Sequence, residues 1–399
     1  MKILVIHNYH RKGSASGDDL VYNSEIELLK KHGHKVIRYY VRNDEFDDAG
    51  PLKKMALTLG MFWSFENYRK VRRVIEKYNP DVVHVHTFFP LLSPSILYAA
   101  KKSGKKVVAT LHDTRFICPC ATSICHGKLC NECMDGHYSR MIKRKCFKDS
   151  MAQSFMVSMV FKFHRLRRSF YNQIDKYICL NDNQIELLKQ AGFDEEKITK
   201  KYNFTEDTAS FERPDYESIR EEYNLPERFA VFYGRIGEEK GIKLLMKAWN
   251  KLKDIPLVVM GAGPMEEEFK KWCKGKDNVY FLGYTKHDNC LEIVRRSEFV
   301  VFPSIWYEGC SMVVIETESL GKAIVATDIG FMSEAVRDGV TGYKFRLKDV
   351  KDFRDKVQKL WNDEDKALEM GENAREDFES KYTVDNNYRQ LMEIYNTLV

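Results

Sequence analysis

The sequence predicts an α/β protein of two Rossmann-like, doubly wound parallel-sheet domains facing a central cleft. Three observations carry that expectation. The 399 residues exceed what one hydrophobic core ordinarily organises. Short β-branched runs alternate with amphipathic stretches of helical length, the signature of parallel strands joined by helices. A polar interruption near the middle is followed by a second round of the same alternation. An apolar fraction of 44% fills two cores, and a charged fraction of 31% is ordinary for a folded chain, so low complexity and disorder are excluded.

In chain order, residues 2–6, 35–41, 82–85, 107–111 and 177–180 read as strands, with a helix over 20–32 that Gly33 stops. The stretch 205–227, charge-rich and containing Pro214 and Pro226, shows no apolar face long enough for a core helix and is read as the interdomain region. Strands resume at 229–233, 257–260, 279–282, 299–302 and 324–327. The expected domains are therefore 1–205 and 206–382, with a C-terminal helix over 383–399 packing back on the first. Ligands of open α/β sheets bind beyond the carboxyl ends of the strands, so functional residues are expected in the loops that follow strands. The loop after the first strand, Gly13 to Gly17, lacks the Gly-x-Gly-x-x-Gly spacing of dinucleotide dehydrogenases.

The N-terminus turns polar at His7-Asn8 before a secretory h-region could form, and no apolar run approaches the roughly eighteen residues of a membrane span. The expected location is cytoplasmic, peripheral on the inner face of the cell membrane. The net charge of +6 is unevenly placed: residues 138–168 hold nine Lys or Arg against the single acid Asp149. Basicity is thus local, and a nucleic-acid partner is not expected. That segment flanks Phe155, Met156, Val157, Met159, Val160 and Phe161 with cations, a pattern suited either to an anionic membrane interface or to a core helix with solvated ends.

Chemistry-bearing residues collect after the strands of the second half. In the segment from Phe302 to Glu316, Glu308 falls in a polar loop and Glu316 about a turn and a half into an apolar helix that begins near Ser311. The free amides of Ser311, Met312 and Val313 form an anion site suited to a diphosphate. Arg235 and Lys240, delivered by one loop after the strand 229–233, can grip two phosphate groups. Gly261 and Gly263 close the next strand with no side chain to obstruct a ligand.

These signatures, in order, are Gly234-Arg235 and Lys240-Gly241 with four residues between them, Gly261-Ala262-Gly263-Pro264, Pro303-Ser304, Glu308 and Glu316 with seven residues between them, and Gly342 in Thr341-Gly342-Tyr343. Together they resemble family 4 of the retaining GT-B glycosyltransferases, throughout the second half and more loosely in the first. The resemblance implies that Arg235 and Lys240 bind the donor diphosphate, Glu308 meets donor-sugar hydroxyls and Glu316 the nucleotide ribose. It makes His112, at the end of the strand 107–111, the active-site histidine beside the donor sugar. Gly17 is expected near the donor phosphate, although Ser16 replaces the other glycine usual there, and Phe331 departs from the paired glycines the family carries at Gly330. Transfer is then expected from a UDP-sugar, or second a GDP-sugar, to a glycan or lipid-linked acceptor in cell-surface polysaccharide synthesis, with retention and without a catalytic metal.

Six of the ten cysteines fall between Cys118 and Cys146. Clustered thiols in a reducing compartment suggest a structural zinc, with Cys118, Cys130, Cys133 and Cys146 as ligands, or else free thiols packed in a loop. Two rival classes remain at this point: a nucleotide-sugar epimerase of the same fold and a non-enzymatic polyanion-binding protein.

Overall fold

The structure is a computed structural model that describes residues 1–12, 16–125 and 128–399. Gly13, Ser14 and Ala15 of the first-strand loop lie outside the described residues, as do His126 and Gly127. The chain divides into two compact units, Met1–Asn203 with Asn387–Val399, and Phe204–Asn386.

The first unit contains strands β1 (Lys2–Tyr9), β2 (Lys35–Arg42), β3 (Val82–Val85), β4 (Lys106–Leu111), a small hairpin of β5 (Ile124–Cys125) and β6 (Lys128–Leu129), then β7 (Lys176–Cys179) and β8 (Ile198–Lys200). Six of them form one parallel sheet in the order β2-β1-β3-β4-β7-β8. Alternate residues of a strand face opposite sides. Leu4, Ile6, Val83, Val85, Val107 and Ala109 enter one buried cluster, and Ile3, Val5, Val82, Val108 and Ile178 enter another. The second cluster is closed by Tyr22, Ile26 and Leu29 of the helix Gly17–Lys31 and by Leu391, Ile394 and Tyr395 of the last helix, Val384–Asn396.

β1 runs three residues beyond its apolar stretch because its polar residues are paired. His7 bonds Thr87 (2.6 Å) and Asp19 (2.8 Å), and Asn8 accepts from the Leu91 amide (2.9 Å). β8 escapes the sequence reading because it is a three-residue edge strand of half-buried side chains.

The second unit contains β9 (Ala230–Tyr233), β10 (Leu257–Met260), β11 (Val279–Gly283), β12 (Phe299–Phe302), β13 (Ala323–Thr327) and β14 (Gly342–Phe345), parallel in the order β11-β10-β9-β12-β13-β14. β14 begins on a glycine, which reads as a turn in sequence. The segment 205–227, expected as an interdomain region, belongs instead to this unit. Asp207 makes a bidentate ion pair with Arg375 (2.6 and 2.7 Å), the Thr208 and Ser319 hydroxyls are bonded, and a helix Tyr216–Tyr223 buries Ile219. Isolated polar pairs and one apolar anchor hold it, so no periodic apolar face betrays it.

In the last turn of the helix Met312–Ser319, Glu318 is buried with neither carboxylate oxygen hydrogen-bonded. Burial, and then the Asp377 charge, push its carboxyl well above the ordinary range. The folded state therefore keeps a proton that the unfolded chain releases above about pH 4.3, and stability falls as pH rises from there toward the folded value. Glu318→Gln is expected to raise stability near pH 7.5 by about 1–3 kcal/mol and to flatten that slope. Melting curves from pH 4.5 to 8 check it; parallel curves for variant and parent would contradict it.

Candidate functional site

In each sheet the strand order reverses direction at one point, β1/β3 in the first unit and β9/β12 in the second. Loops leaving the carboxyl ends there diverge and open a crevice. Gly17 follows β1, Arg235 and Lys240 follow β9 and Glu308 follows β12, while His112 after β4 and Gly261 after β10 stand one strand away.

In the second unit the loop after β9 carries Arg235 and Lys240, and the loop after β12 carries Glu308. Lys240 Nζ lies 2.6 Å from Glu308 Oε1, with the two side chains 17% and 8% exposed. Ser304 donates its hydroxyl to the same carboxylate oxygen at 2.7 Å. The two loops are tied further by Ile305 N donating to the Glu239 carbonyl at 2.9 Å. Lys240 also rests over the Phe302 and Trp306 rings, 5.5 and 5.3 Å from their centroids. Arg235 is 55% exposed and touches Glu239 at 3.4 Å, which leaves its fork turned to solvent.

The helix Met312–Ser319 starts beside this pair. Ser311 is its N-cap and gives no side-chain cap, and the Val313 side chain stands 3.7 Å from where a Cβ on Gly234 would be. Tyr233, at the end of β9, donates to the Val313 carbonyl at 2.7 Å. Arg235, Lys240, Glu308, Ser311, Met312 and Val313 are thus gathered at one strand-end cluster. Glu316, one helical turn on, is buried and meets His287 Nε2 at 3.1 Å. That hydrogen bond raises the His287 pKa above its ordinary value. His287 was not expected from sequence: it opens the helix His287–Arg296, far from any motif.

Gly261 and Gly263 have a use besides ligand approach. A Cβ on Gly261 would lie 1.8 Å from the Gly234 carbonyl oxygen, and one on Gly263 would lie 2.4 Å from that of Ile236. The loop after β10 therefore presses directly on the loop that carries Arg235, sealed by Ile236 N to the Ala262 carbonyl at 3.0 Å. Phe331, the departure from the family pattern, is wholly buried and meets Tyr382 edge-on, so its side chain belongs to the core.

In the first unit His112 follows β4 with a 2%-exposed side chain, and burial lowers its pKa. It stacks on His86 (ring centroids 5.2 Å apart), with Nε2 3.0 Å from His86 Nδ1. A narrow pocket beside it is lined by His86, Thr87, Phe88, His112, Arg115 and Phe116. Gly17 opens its helix with nothing among the described residues within 4 Å of where a Cβ would be, and its neighbours Asp18 and Asp19 lie near His10 (3.7 Å), His112 (3.9 Å) and His7 (2.8 Å).

The proposed zinc ligands do not converge. Tetrahedral Zn–S bonds of about 2.3 Å bring thiolates to about 3.8 Å from one another. Among the described residues the one group with three ligand atoms within 4.8 Å of each other is Glu25, His84 and His86. Cys146 instead pairs with Cys125 (Sγ–Sγ 3.6 Å), and Cys130 Sγ accepts from Arg144 at 3.7 Å. The Cys120 thiol hydrogen-bonds that of Cys118, which lowers the Cys118 pKa. Sequence spacing brought the thiols near one another without the geometry of a metal cage. The Glu25 group already holds the Lys201 ammonium, 3.1 Å from Glu25 Oε2, so its negative charge has a resident partner.

Two family profiles match the chain: "Glycosyltransferase Family 4" over residues 24–207 and "Glycosyl transferases group 1" over residues 215–377. With two parallel Rossmann-like units in tandem, the chain belongs to the GT-B glycosyltransferases of the family 4 type. Among similar curated proteins is the Alpha-D-kanosaminyltransferase of Streptomyces kanamyceticus, 29% identical over 45% of this chain and 48% of that protein. Another is the O-antigen chain mannosyltransferase C of Escherichia coli, 27% identical over 43% and 47%. The chain spans about half the length of the curated relatives it matches. The Anabaena Alr3699/HepE protein, solved with UDP and with UDP-glucose, shares the fold over 100% of both chains at 17% identity, with a TM-score of 0.68 for the UDP complex.

Proposed function

We propose that this protein transfers a sugar from a nucleoside-diphosphate sugar, a UDP-sugar first and a GDP-sugar second, to a hydroxyl of a glycan or lipid-linked glycan. The observation that carries this reading is the Lys240–Glu308 contact at the start of the helix Met312–Ser319. Cation, carboxylate and helix-start amides come together there as a diphosphate joined to a sugar requires. Arg235, Lys240 and the helix-start amides would hold the diphosphate and offset the charge that grows on it as the glycosidic bond breaks. Glu308, already oriented by Ser304 and Lys240, would accept from sugar hydroxyls, and Glu316 with His287 would receive the ribose. UDP as the first choice draws on the UDP and UDP-glucose complexes of the Anabaena protein.

Retention and metal independence follow in this reading. The phosphate cations are supplied by side chains, and a departing phosphate on the acceptor's side can take the acceptor proton, with His112 positioning the donor sugar. An epimerase would consume the donor without an acceptor; acceptor-dependent consumption separates the two. The test of the donor site is nucleotide binding, described in full in the Discussion.

The acceptor side of the reading places the protein peripherally at an anionic membrane. No helix among the described residues is long and apolar enough to cross a bilayer. The helix Met151–Leu166 packs one apolar face in the core and turns other apolar side chains outward. It buries Val157, Val160 and Phe161 and exposes Met151, Phe155, Met159 and Leu166 beside Lys162 and Arg167. The chain just after the helix Pro51–Gly60, which exposes Leu52, Met55 and Leu59, meets it through the Phe62 and Phe163 rings, 5.8 Å apart. Apolar side chains beside cations suit an anionic interface. Vesicles containing about 30% anionic lipid are expected to co-sediment the protein, and Phe155→Glu to release it. Equal recovery with neutral vesicles, or none with anionic ones, counts against this placement.

A further inference from the structure

Behind His112 lies a buried polar chain that the transfer chemistry above leaves unused. His86 bridges His112 (Nδ1 to Nε2, 3.0 Å) and Glu25 (Nε2 to Oε1, 3.1 Å). Glu25 is gripped on its other oxygen by Lys201 (3.1 Å), which also meets Asn387 Oδ1 at 3.4 Å. His84 lies 3.1 Å from Glu25 Oε1 and is held by Thr110 (2.8 Å) and by Tyr395 of the last helix (2.7 Å). Glu25, His84, Lys201 and Tyr395 are each at most 1% exposed. An arrangement this dry, with every member partnered, has one hydrogen-bond pattern to choose and little freedom to change it.

We infer that Glu25, acting through His86, is a positioning residue that fixes His112 as its Nε2–H tautomer and leaves Nδ1 bare as an acceptor toward bound sugar. The inference rests on the reading of His112 as a site residue. An ionised carboxylate only accepts, so His86 must carry its hydrogen on Nε2. Neutral His86 then has a bare Nδ1, and the hydrogen shared with His112 must come from His112 Nε2. The remaining nitrogen of His112, Nδ1, stands 3.9 Å from Asp18 Oδ1, outside hydrogen-bond distance. Burial by itself would raise the Glu25 carboxyl, but the Lys201 ammonium, with the hydrogen bond from His84, outweighs it and holds it well below the ordinary range. Burial keeps His86 well below its ordinary value and so neutral.

The device has a structural consequence. Tyr395 and Asn387 come from the chain's last thirteen residues, so the C-terminal segment is part of the support of a histidine about 280 residues earlier in the sequence.

The test reads the tautomer directly. In protein labelled with nitrogen-15 at histidine, and with His112 assigned by His112→Asn, His112 is expected to show a protonated Nε2 and a bare Nδ1. Glu25→Gln removes the obligate acceptor and should shift His112 toward a tautomer mixture, with kcat lower by about 10- to 100-fold and donor KM within about twofold. That variant strands the Lys201 charge and could fail to fold. Glu25→Gln/Lys201→Met removes both charges together and is expected to give the same tautomer change in a folded protein. A folded variant whose His112 signals match the parent overturns the inference, as does a parent in which His112 carries its hydrogen on Nδ1. Because the tautomer is read without substrate, either result leaves the sugar-transfer reading standing. Conversely, a parent that shows no transfer defeats that reading and leaves the tautomer assignment intact.

Discussion

Lys240→Ala is expected to lower kcat/KM for transfer by about 100- to 1000-fold, the loss usual when one preorganised partner of developing charge is removed. The reason is local. Lys240 is four-fifths buried, 2.6 Å from Glu308, and it stands at a helix start where a diphosphate would lie. Taking it away removes a phosphate cation and also the group that orients the sugar-binding carboxylate. The pair sits on loops beyond β9 and β12, outside the sheet core, so the melting temperature should move by only a few degrees. Turnover close to the parent's in a well-folded Lys240→Ala protein would show that the charge lies elsewhere.

Gly261→Ala should act on the same site through stability. Gly261 has φ +137°, which L side chains rarely adopt, and an added Cβ would lie 1.8 Å from the Gly234 carbonyl oxygen. Strained backbone and overpacking each cost about 1–3 kcal/mol, so a loss of about 2–6 kcal/mol in the second unit is expected. Relief can only come by pushing away the loop that carries Arg235 and Lys240, so donor affinity should fall as well. A denaturation midpoint and donor affinity equal to the parent's would mean the two loops do not pack as described.

The gathering of several proposed site residues was legible because their signal is local. Arg235 with Lys240, and Glu308 with Glu316, occupy single strand-end loops and helix starts, so sequence spacing translates directly into spatial proximity. The support of His112 is invisible to such reading: Glu25 and His86 are 61 positions apart, Glu25 and Lys201 176, and His84 and Tyr395 311. Only the sheet order, which sets β3 between β1 and β4, brings them together. The cysteines fail in the opposite sense. They are close in sequence, but a metal cage needs sulfurs aimed at one point, and the side chains pair off instead. The segment 205–227 reads in sequence as a connection because its anchors are an ion pair, a hydroxyl pair and one isoleucine, which carry no periodicity.

The central claim is that the second unit binds a nucleoside diphosphate with Lys240 among its ligands. The most direct measurement is a thermal melt of the full chain with UDP, GDP, ADP and their sugars, repeated on Lys240→Ala. A nucleotide present at about 100 times its Kd stabilises the folded state by about 2.7 kcal/mol, a rise of about 5 °C or more for a domain of this size. The account predicts that rise with UDP or GDP for the parent and little or none for the variant. A parent that none of these nucleotides shifts, or a variant that they shift as far as the parent, contradicts it.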